Sequence, residues 1–297
     1  MMTLEAAFDS FMNATHRARL TRVKYHSRLA VLLERHGHRP VEAVSPADLF
    51  SIFDEFEERL ADASLAAHRS CMVALFNYCV AQGWRASNPA HAVRRYDERP
   101  PVVHLPPVAD VSAVLDVCRR WSLGDCAQER RDACIIYLAA VSGKRRGEVQ
   151  ALSFEAVCCA LDCPAGEGVY VVATKGKTGR TRLVFNDEAA GMLRRWLDVR
   201  PAVKNDRLWV TVRRGPQYGR GIGERVMQCA RERVCEAAGV PPITFQQLRR
   251  LKATDVARRY GLLVAAEVLG HSSGVSVVRD YYYNPDVELS YRAILET

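Results

Sequence analysis

Residues 243–285 combine side chains whose types and spacing suit phosphodiester chemistry. The adjacent cations Arg249 and Arg250 are followed by a Leu-Gly-His turn that ends at His271, and then by three consecutive tyrosines at 281–283. Planar guanidinium groups pair bidentately with phosphate oxygens, and a phenol can attack phosphorus to form a covalent intermediate. The stretch therefore predicts tyrosine attack on a phosphodiester, provided that the rest of the chain supplies further cationic groups.

The composition is that of a folded protein with a positive field over its second half. The 297 residues suffice for two domains of ordinary size, and 48% of them are hydrophobic. The net charge is +8 at pH 7, and most of the excess lies in residues 101–297, which favours a polyanionic partner. No run of about 18 apolar residues occurs and the N-terminal stretch has no signal-peptide pattern, so the sequence predicts neither a membrane span nor secretion.

The 10 cysteines predict buried thiols rather than a disulfide framework, because most stand singly inside apolar runs. Cys71, Cys79 and Cys134 are typical of such small buried side chains. Only the cluster Cys158, Cys159 and Cys163 hints at a metal, but it has no second pair of ligands at short spacing. The sequence therefore predicts no metal site.

The first 90 or so residues are predicted to form a helical bundle. Apolar residues at helical spacing indicate four helices, over 4–11, 20–33, 45–60 and 64–82. Basic residues in or near these helices are candidates for contacts with DNA phosphates, although a charged face is more often simply solvated. These candidates are Arg17, Arg22, Lys24 and Arg69.

A proline-rich segment predicts the domain boundary. Residues 96–107 hold four prolines, which keep the backbone extended and block regular structure. We therefore expect a DNA-binding domain over 1–96, a linker over 97–107 and a second domain over 108–297.

The second domain is predicted to be mostly helical with one small hairpin. Two short runs at 169–174 and 180–185 are rich in β-branched residues, and the turn between them carries Lys175 and Lys177. A new helix is expected to begin near Arg145, just after a Ser-Gly junction. The remaining predicted elements are helices at 108–120, 129–140, 188–199 and 224–238, an extended segment at 208–212 and a basic loop at 213–223.

Four segments of the chain resemble the boxes of the tyrosine recombinases, the family of the phage integrases and Xer-like enzymes. SGKRRGEVQAL at 142–152 resembles the T-G-x-R-x-x-E-x-x-x-L box, and 177–184 resembles the hairpin with the catalytic lysine. Leu248-Arg249 resembles the H-x-L-R-H-T-x-A box, and LGHSS at 269–273 matches the family's turn closely. The order and separation of the four boxes carry the resemblance, because each short motif alone recurs by chance.

The resemblance implies a mostly α fold with a small β-hairpin, in which an N-terminal helical core-binding bundle precedes a C-terminal α+β catalytic domain. It implies a cytoplasmic, metal-independent and cofactor-free enzyme that cuts and rejoins double-stranded DNA through a 3′-phosphotyrosine, acting as a tetramer on DNA. A relaxing enzyme like the type IB topoisomerases, or a DNA-binding protein that no longer cleaves, is the alternative. The apolar tail at 287–297 could dock on a neighbouring subunit or pack on its own.

The resemblance also implies roles for individual residues. Arg145 and Arg249 would bind the non-bridging oxygens, and a lysine would protonate the departing 5′ oxygen. Lys177 is the first candidate for that lysine and Lys175 its competitor. The remaining expected site residues are His271 as a hydrogen-bond donor to phosphate, Glu148 as a brace for a cation, and Lys175 and Arg250 as DNA contacts.

Two departures from the family's pattern affect these roles. Gln246 stands where the family's box has histidine, and an amide cannot accept a proton at neutral pH. We expect this change to slow cleavage without abolishing it, because electrostatic stabilisation is usually the larger contribution. The spacing from His271 to the tyrosines is one residue longer than usual, and the alignment that absorbs the extra residue selects Tyr281, with Tyr282 second.

Overall fold

The computed structural model of the protein describes residues 1–14, 19–97, 105–176 and 179–270. Contacts within the chain divide it into two units, Met1–Pro101 and Val102–Thr297. Arg17, Lys177, His271, Tyr281, Tyr282 and the tail at 287–297 lie outside the described residues, and so does part of the predicted linker.

The described part of the first unit is a bundle of α-helices around an aromatic-rich core. Phe8, Phe11, Phe53 and Phe76 are almost completely buried in this core. The third helix begins at Ser45, whose side chain accepts a hydrogen bond from the Asp48 amide while the Asp48 carboxylate accepts one from the Ser45 amide. The helices are α1 (Leu4–Ala14), α2 (Arg19–His36), α3 (Pro46–Glu57) and α4 (Asp62–Ala81).

The second unit is built around one buried helix. Helix α6 (Ala127–Ser142) is buried continuously from Arg131 to Ala139, so neighbouring elements pack on all its sides. The helices are α5 (Val108–Leu123), α6 (Ala127–Ser142), α7 (Arg146–Gln150), α8 (Phe154–Asp162), α9 (Asp187–Val199), α10 (Glu224–Ala237) and α11 (Phe245–Leu269). Strands β1 (Tyr170–Gly176) and β2 (Gly179–Phe185) pair antiparallel from Tyr170 opposite Phe185 to Gly176 opposite Gly179. The predicted fold class, mostly helical with a small hairpin, is confirmed.

One helix adds to the predicted elements, and the predicted segment at 208–212 forms no regular strand. Helix α8 is new, and the Ser153 side chain begins it by accepting a hydrogen bond from the Ala156 amide. The segment at 208–212 bends at Leu208 and Trp209, and Val210 forms an isolated bridge with Gly221. Trp209 anchors this segment in the core, because its indole nitrogen donates to the Val149 carbonyl 2.7 Å away.

Helix α11 reverses direction at Gly261, which has a φ of 86° and a ψ of 164°. Arg249 Nη2 donates to the Leu269 carbonyl at 3.0 Å, although these residues would lie about 30 Å apart along a straight helix. A φ in this range favours glycine, since a Cβ would be crowded there. The reversal brings the two ends of α11 to one place.

Cys71, Cys79 and Cys134 are buried as free thiols, as the sequence predicts. Within the described ranges, no three histidine, cysteine or acidic side chains gather as a metal site. No described helix is both long and apolar enough to cross a membrane.

Candidate active site

A cleft of about 560 Å³ lies between the α6–α7 junction, α10 and the start of α11. Among the described residues that line it, four are arginines and none is acidic, so the cleft favours a polyanion such as a phosphodiester. The lining residues are Arg145, Arg146, Gly147, Gln228, Arg231, Thr244, Phe245, Gln246 and Arg249.

Arg145 stands at the N-cap of α7 and is held by Glu148. The Arg145 amide donates to Glu148 Oε2 at 2.9 Å, and Arg145 Nη1 donates to Oε1 at 3.3 Å. The Glu148 side chain is only 6% exposed, whereas the Arg145 side chain is 37% exposed. Glu148 therefore orients a guanidinium that still presents a face to the cleft.

Arg249 lines the same cleft from α11 and is buried. It is 2% exposed, and its Nη1 and Nη2 donate to the carbonyls of Gly143 and Leu269 at 2.8 and 3.0 Å. Thr244 begins α11 through a reciprocal pair of hydrogen bonds with Gln247, which places Arg249 one turn into the helix. Arg249 thus links the α6–α7 junction to the far end of α11.

Gly143 allows this junction to close. Its φ is 61°, and a Cβ there would lie 2.9 Å from the Lys252 side chain and 3.2 Å from the Leu269 side chain. A larger residue would push α11 away from the carbonyl that Arg249 binds. The glycine is therefore required both by its backbone conformation and by the close approach of α11.

Lys144, which the sequence did not single out, is a buried link at the same junction. It is 2% exposed, and its Nζ donates to Thr181 Oγ1 on β2 at 3.1 Å and to the Val268 carbonyl at 2.8 Å. Burial lowers the pKa of this amine to about 8, and the nearby Arg249 adds to the shift while Glu148 opposes it. Lys144 thereby ties the hairpin to the last turn of α11, immediately before the Leu-Gly-His turn.

Gln246 lies on the first turn of α11, where it is exposed and lines the cleft. Its amide can donate to a phosphate oxygen but brings no positive charge. Arg250, the next arginine along, is half-buried beside the site and does not line the cleft.

Apart from Arg17, which lies outside the described residues, the other predicted DNA contacts lie elsewhere on the two units. Lys175 is in β1, opposite Arg180. Arg22 and Lys24 are exposed on α2. Arg69 instead donates from Nε to the Val93 carbonyl at 2.9 Å, so part of its guanidinium serves the fold of the first unit.

Helix α10 supplies Gln228 and Arg231 to the cleft, and sequence reasoning missed both. Arg233, on the same helix, pairs with the buried carboxylate of Asp132 at 2.5 Å, and Arg131 pairs with the other oxygen of that carboxylate at 2.8 Å. This ion cluster fixes α10 against the central helix α6. The sequence signal that could have found Arg231 was its place in an amphipathic helix just ahead of the Arg249 box.

An arginine-lined cleft on a helical domain with a small hairpin defines a phosphodiester-binding domain, and comparisons with known proteins name the family. The family model for the phage integrases matches residues 108–288, and that for the phage integrase central domain matches residues 4–96. The tyrosine recombinase XerD of Caulobacter vibrioides is 30% identical over 249 residues, covering 81% of this chain and 77% of that protein. The chain belongs to the phage integrase family, and it is a tyrosine-type site-specific recombinase, an enzyme that cleaves and rejoins DNA.

Solved structures share this fold at low sequence identity. A lambda integrase (75–356) dimer bound to a COC′ core site matches with a TM-score of 0.69 and 16% identity, over 97% of this chain and 98% of that one. The Tn1549 transposon integrase in complex with circular intermediate DNA matches with a TM-score of 0.68 and 18% identity, over 99% of each chain.

Proposed function

We propose that this recombinase uses Tyr281 to attack the scissile phosphate of duplex DNA, with Arg145 and Arg249 bound to its non-bridging oxygens. The observation that carries the proposal is the shared cleft, to which two boxes distant in the sequence each contribute an arginine. Two guanidinium groups on one phosphate offset the charge that builds up as the pentacoordinate centre forms.

The reaction conserves the phosphodiester bond. The Tyr281 hydroxyl loses its proton to the solvent as its oxygen bonds to phosphorus, the bond to the 5′ oxygen breaks, and that oxygen takes a proton from Lys177 or, as the alternative, Lys175. The resulting 3′-phosphotyrosine is then attacked by a 5′ hydroxyl of the partner strand, which reseals the DNA without ATP. His271 and Gln246 donate hydrogen bonds to the phosphate, and Glu148 holds Arg145 in place.

The partner in this proposal is double-stranded DNA, bound by more than one copy of the chain. The lambda integrase match is a dimer on its core site, which supports assembly on DNA, and the family resemblance extends this to a tetramer. Arg22 and Lys24, exposed on α2, are the proposed phosphate contacts of the first unit, and the linker at 97–107 separates this unit from the catalytic one. The transposon integrase match supports a role on a mobile element.

Covalent trapping tests the nucleophile. The full chain is incubated with a pool of nicked duplexes of randomised core sequence, and DNA that stays attached to protein in detergent is recovered and sequenced. We expect a recovered consensus site and an adduct that Tyr281→Phe abolishes, because phenylalanine has no attacking oxygen. Tyr282→Phe is the matched control and should still form the adduct.

Each other outcome has a definite meaning. Loss of the adduct in Tyr282→Phe instead of Tyr281→Phe would move the nucleophile by one residue. Tight DNA binding with no adduct from the wild-type chain would contradict the proposed cleavage and leave a DNA-binding accessory protein. An adduct with relaxation of supercoils but no exchange between two sites would indicate a topoisomerase-like enzyme.

A further inference from the structure

Arg231 lines the cleft, and the protein supplies hydrogen-bond acceptors for only part of its guanidinium group. It belongs to α10 and lines the cleft together with Arg145 and Arg249. Its Nη2 pairs with the exposed carboxylate of Glu232 at 2.7 Å. Its Nε is buried and has no hydrogen-bond partner among the described residues. Arg146 has a similar buried Nε, but its side chain is 34% exposed whereas that of Arg231 is 17% exposed, so Arg231 is the more desolvated of the two.

A buried N–H without an acceptor on a charged group is unfavourable unless a ligand completes it. The guanidinium cannot escape this cost by losing its proton. No acidic side chain among the described residues lines the cleft beside it. A phosphate oxygen in the cleft would give this guanidinium a further acceptor and a compensating negative charge.

The position of Arg231 is fixed by the attachment of its helix. Two residues further along α10, Arg233 is bound to Asp132, which is itself completely buried and bound to Arg131. At the start of the same helix, Glu224 pairs with Arg146 Nη2 at 2.7 Å. Helix α10 is thus attached at both ends to the elements on either side of Arg145.

Because Gln246 is neutral, the cleft lacks a positive charge at a position where a histidine could bring one. A histidine at that position could be protonated and bring a positive charge, which an amide cannot do. Arg231 lines the same cleft as Gln246 and brings a permanent positive charge.

We propose that Arg231 is a third catalytic arginine, which donates to a non-bridging oxygen of the scissile phosphate and offsets the charge that Gln246 lacks. This inference rests on the proposed cleavage reaction. It assigns to the cleft a three-arginine phosphate site formed by the α6–α7 junction, α10 and α11.

The test measures single-turnover adduct formation on the consensus DNA site recovered by covalent trapping. Two substrates are compared, one with an ordinary charged scissile phosphate and one in which that group is neutral. We expect Arg231→Gln to slow adduct formation by about 30- to 100-fold on ordinary DNA, near the range found for removing one donor to a transition-state oxygen. A methylphosphonate at the scissile position replaces one charged oxygen by a methyl group. On that neutral substrate the penalty should fall to about threefold or less, since there is less charge for Arg231 to offset.

Arg225→Gln is the matched control, because Arg225 is exposed on the same helix and the substitution removes the same charge. It should slow adduct formation by less than about threefold on both substrates. A slowing by Arg225→Gln equal to that by Arg231→Gln would overturn the proposal in favour of a general charge effect. A penalty for Arg231→Gln that is the same on the charged and neutral substrates would also overturn it, because a merely structural role does not depend on the charge of the phosphate.

A double substitution tests the link to Gln246. If Arg231 offsets the missing charge, then Gln246→His should reduce the penalty of Arg231→Gln at pH 6 by about tenfold, and an unchanged penalty would count against the link. Arg231→Lys keeps the positive charge, and it is the variant to compare if Arg231→Gln does not fold. Because wild-type adduct formation is measured in parallel, failure of the cleavage reaction itself is distinguished from failure of Arg231 alone.

Discussion

Arg249 on α11 and Arg145 at the start of α7 both line the cleft, but the protein holds them in different ways. Arg249 is 2% exposed, and its terminal nitrogens donate to the main-chain carbonyls of Gly143 and Leu269. The Arg145 side chain is more than one-third exposed and donates to the carboxylate of Glu148. Both arginines come from the motif boxes, yet one is part of the protein's interior and the other stands at its surface.

This difference separates two requirements that a phosphate site must meet. A guanidinium aimed at phosphate must be present, and the elements that carry it must be held together. In the proposed reaction Arg249 meets both requirements, because it also binds the α6–α7 junction to the end of α11. We expect Arg145 to meet only the first, since Glu148 also accepts a hydrogen bond from the main-chain amide of residue 145.

The largest expected effect comes from Arg249→Ala. It leaves two buried carbonyls without a donor, so we expect the free energy of unfolding of the second unit to fall by about 3 kcal/mol. Adduct formation should fall by about a hundredfold or more. Urea unfolding and single-turnover trapping measure the two effects. Arg225→Ala, which removes an exposed arginine from α10, is the control and should cost less than about 0.5 kcal/mol.

Arg145→Ala should affect the chemistry without a comparable loss of stability. Adduct formation should fall by about 100- to 1,000-fold, whereas the free energy of unfolding should change by less than about 1 kcal/mol. Glu148 keeps its hydrogen bond from the amide of residue 145, so its buried carboxylate is not left without a donor. The same two assays apply. If this variant were destabilised as much as Arg249→Ala, the contrast between Arg145 and Arg249 would be wrong.

Lys144→Met gives the smallest effect at neutral pH and a distinctive dependence on pH. Burial lowers the pKa of Lys144 from its ordinary value of 10.5 to about 8 in the folded chain, so the unfolded chain binds more protons between these two values. The contribution of Lys144 to stability therefore rises with pH across that window, by at most about 1.4 kcal/mol per pH unit, and is flat below it.

Urea unfolding of wild type and Lys144→Met at pH 7, 8, 9 and 10 checks this prediction. The stability difference between the two proteins should shift in favour of the wild type as the pH rises above about 8. Lys204→Met is the control, because it removes the same charge from an exposed position, and its stability difference should not follow this trend. A difference for Lys144→Met that stayed constant over the whole range would mean that the folded and unfolded chains hold this proton equally well.

Local patterns predicted much of the fold and two of the four described arginines that line the cleft. Ser45-Pro46 marks a helix start by capping chemistry, and β-branched runs around a Lys-Gly turn mark the hairpin, because both signals act within a few residues. The same holds for Arg145 and Glu148, which are three residues apart on one helical turn. The fold class and the family followed from such short-range signals.

What the sequence could not predict depends on contacts between distant segments. Lys144 looks like one more surface cation in a basic run, and only the approach of Thr181 and Val268 buries it. Arg231 becomes a lining residue because Asp132 and Arg233 fix α10, and those residues are far apart in the sequence. The depth of Arg249 likewise requires the reversal of α11.

That reversal has a consequence for the chain during its synthesis. The carbonyl that Arg249 binds belongs to Leu269, which follows the turn at Gly261. A nascent chain that has left the ribosome only as far as the turn has every described arginine of the cleft but not the acceptor that holds Arg249. The cleft is therefore completed only after the segment through Leu269 has emerged, so fragments that stop at the turn would lack the contact that holds Arg249 in place.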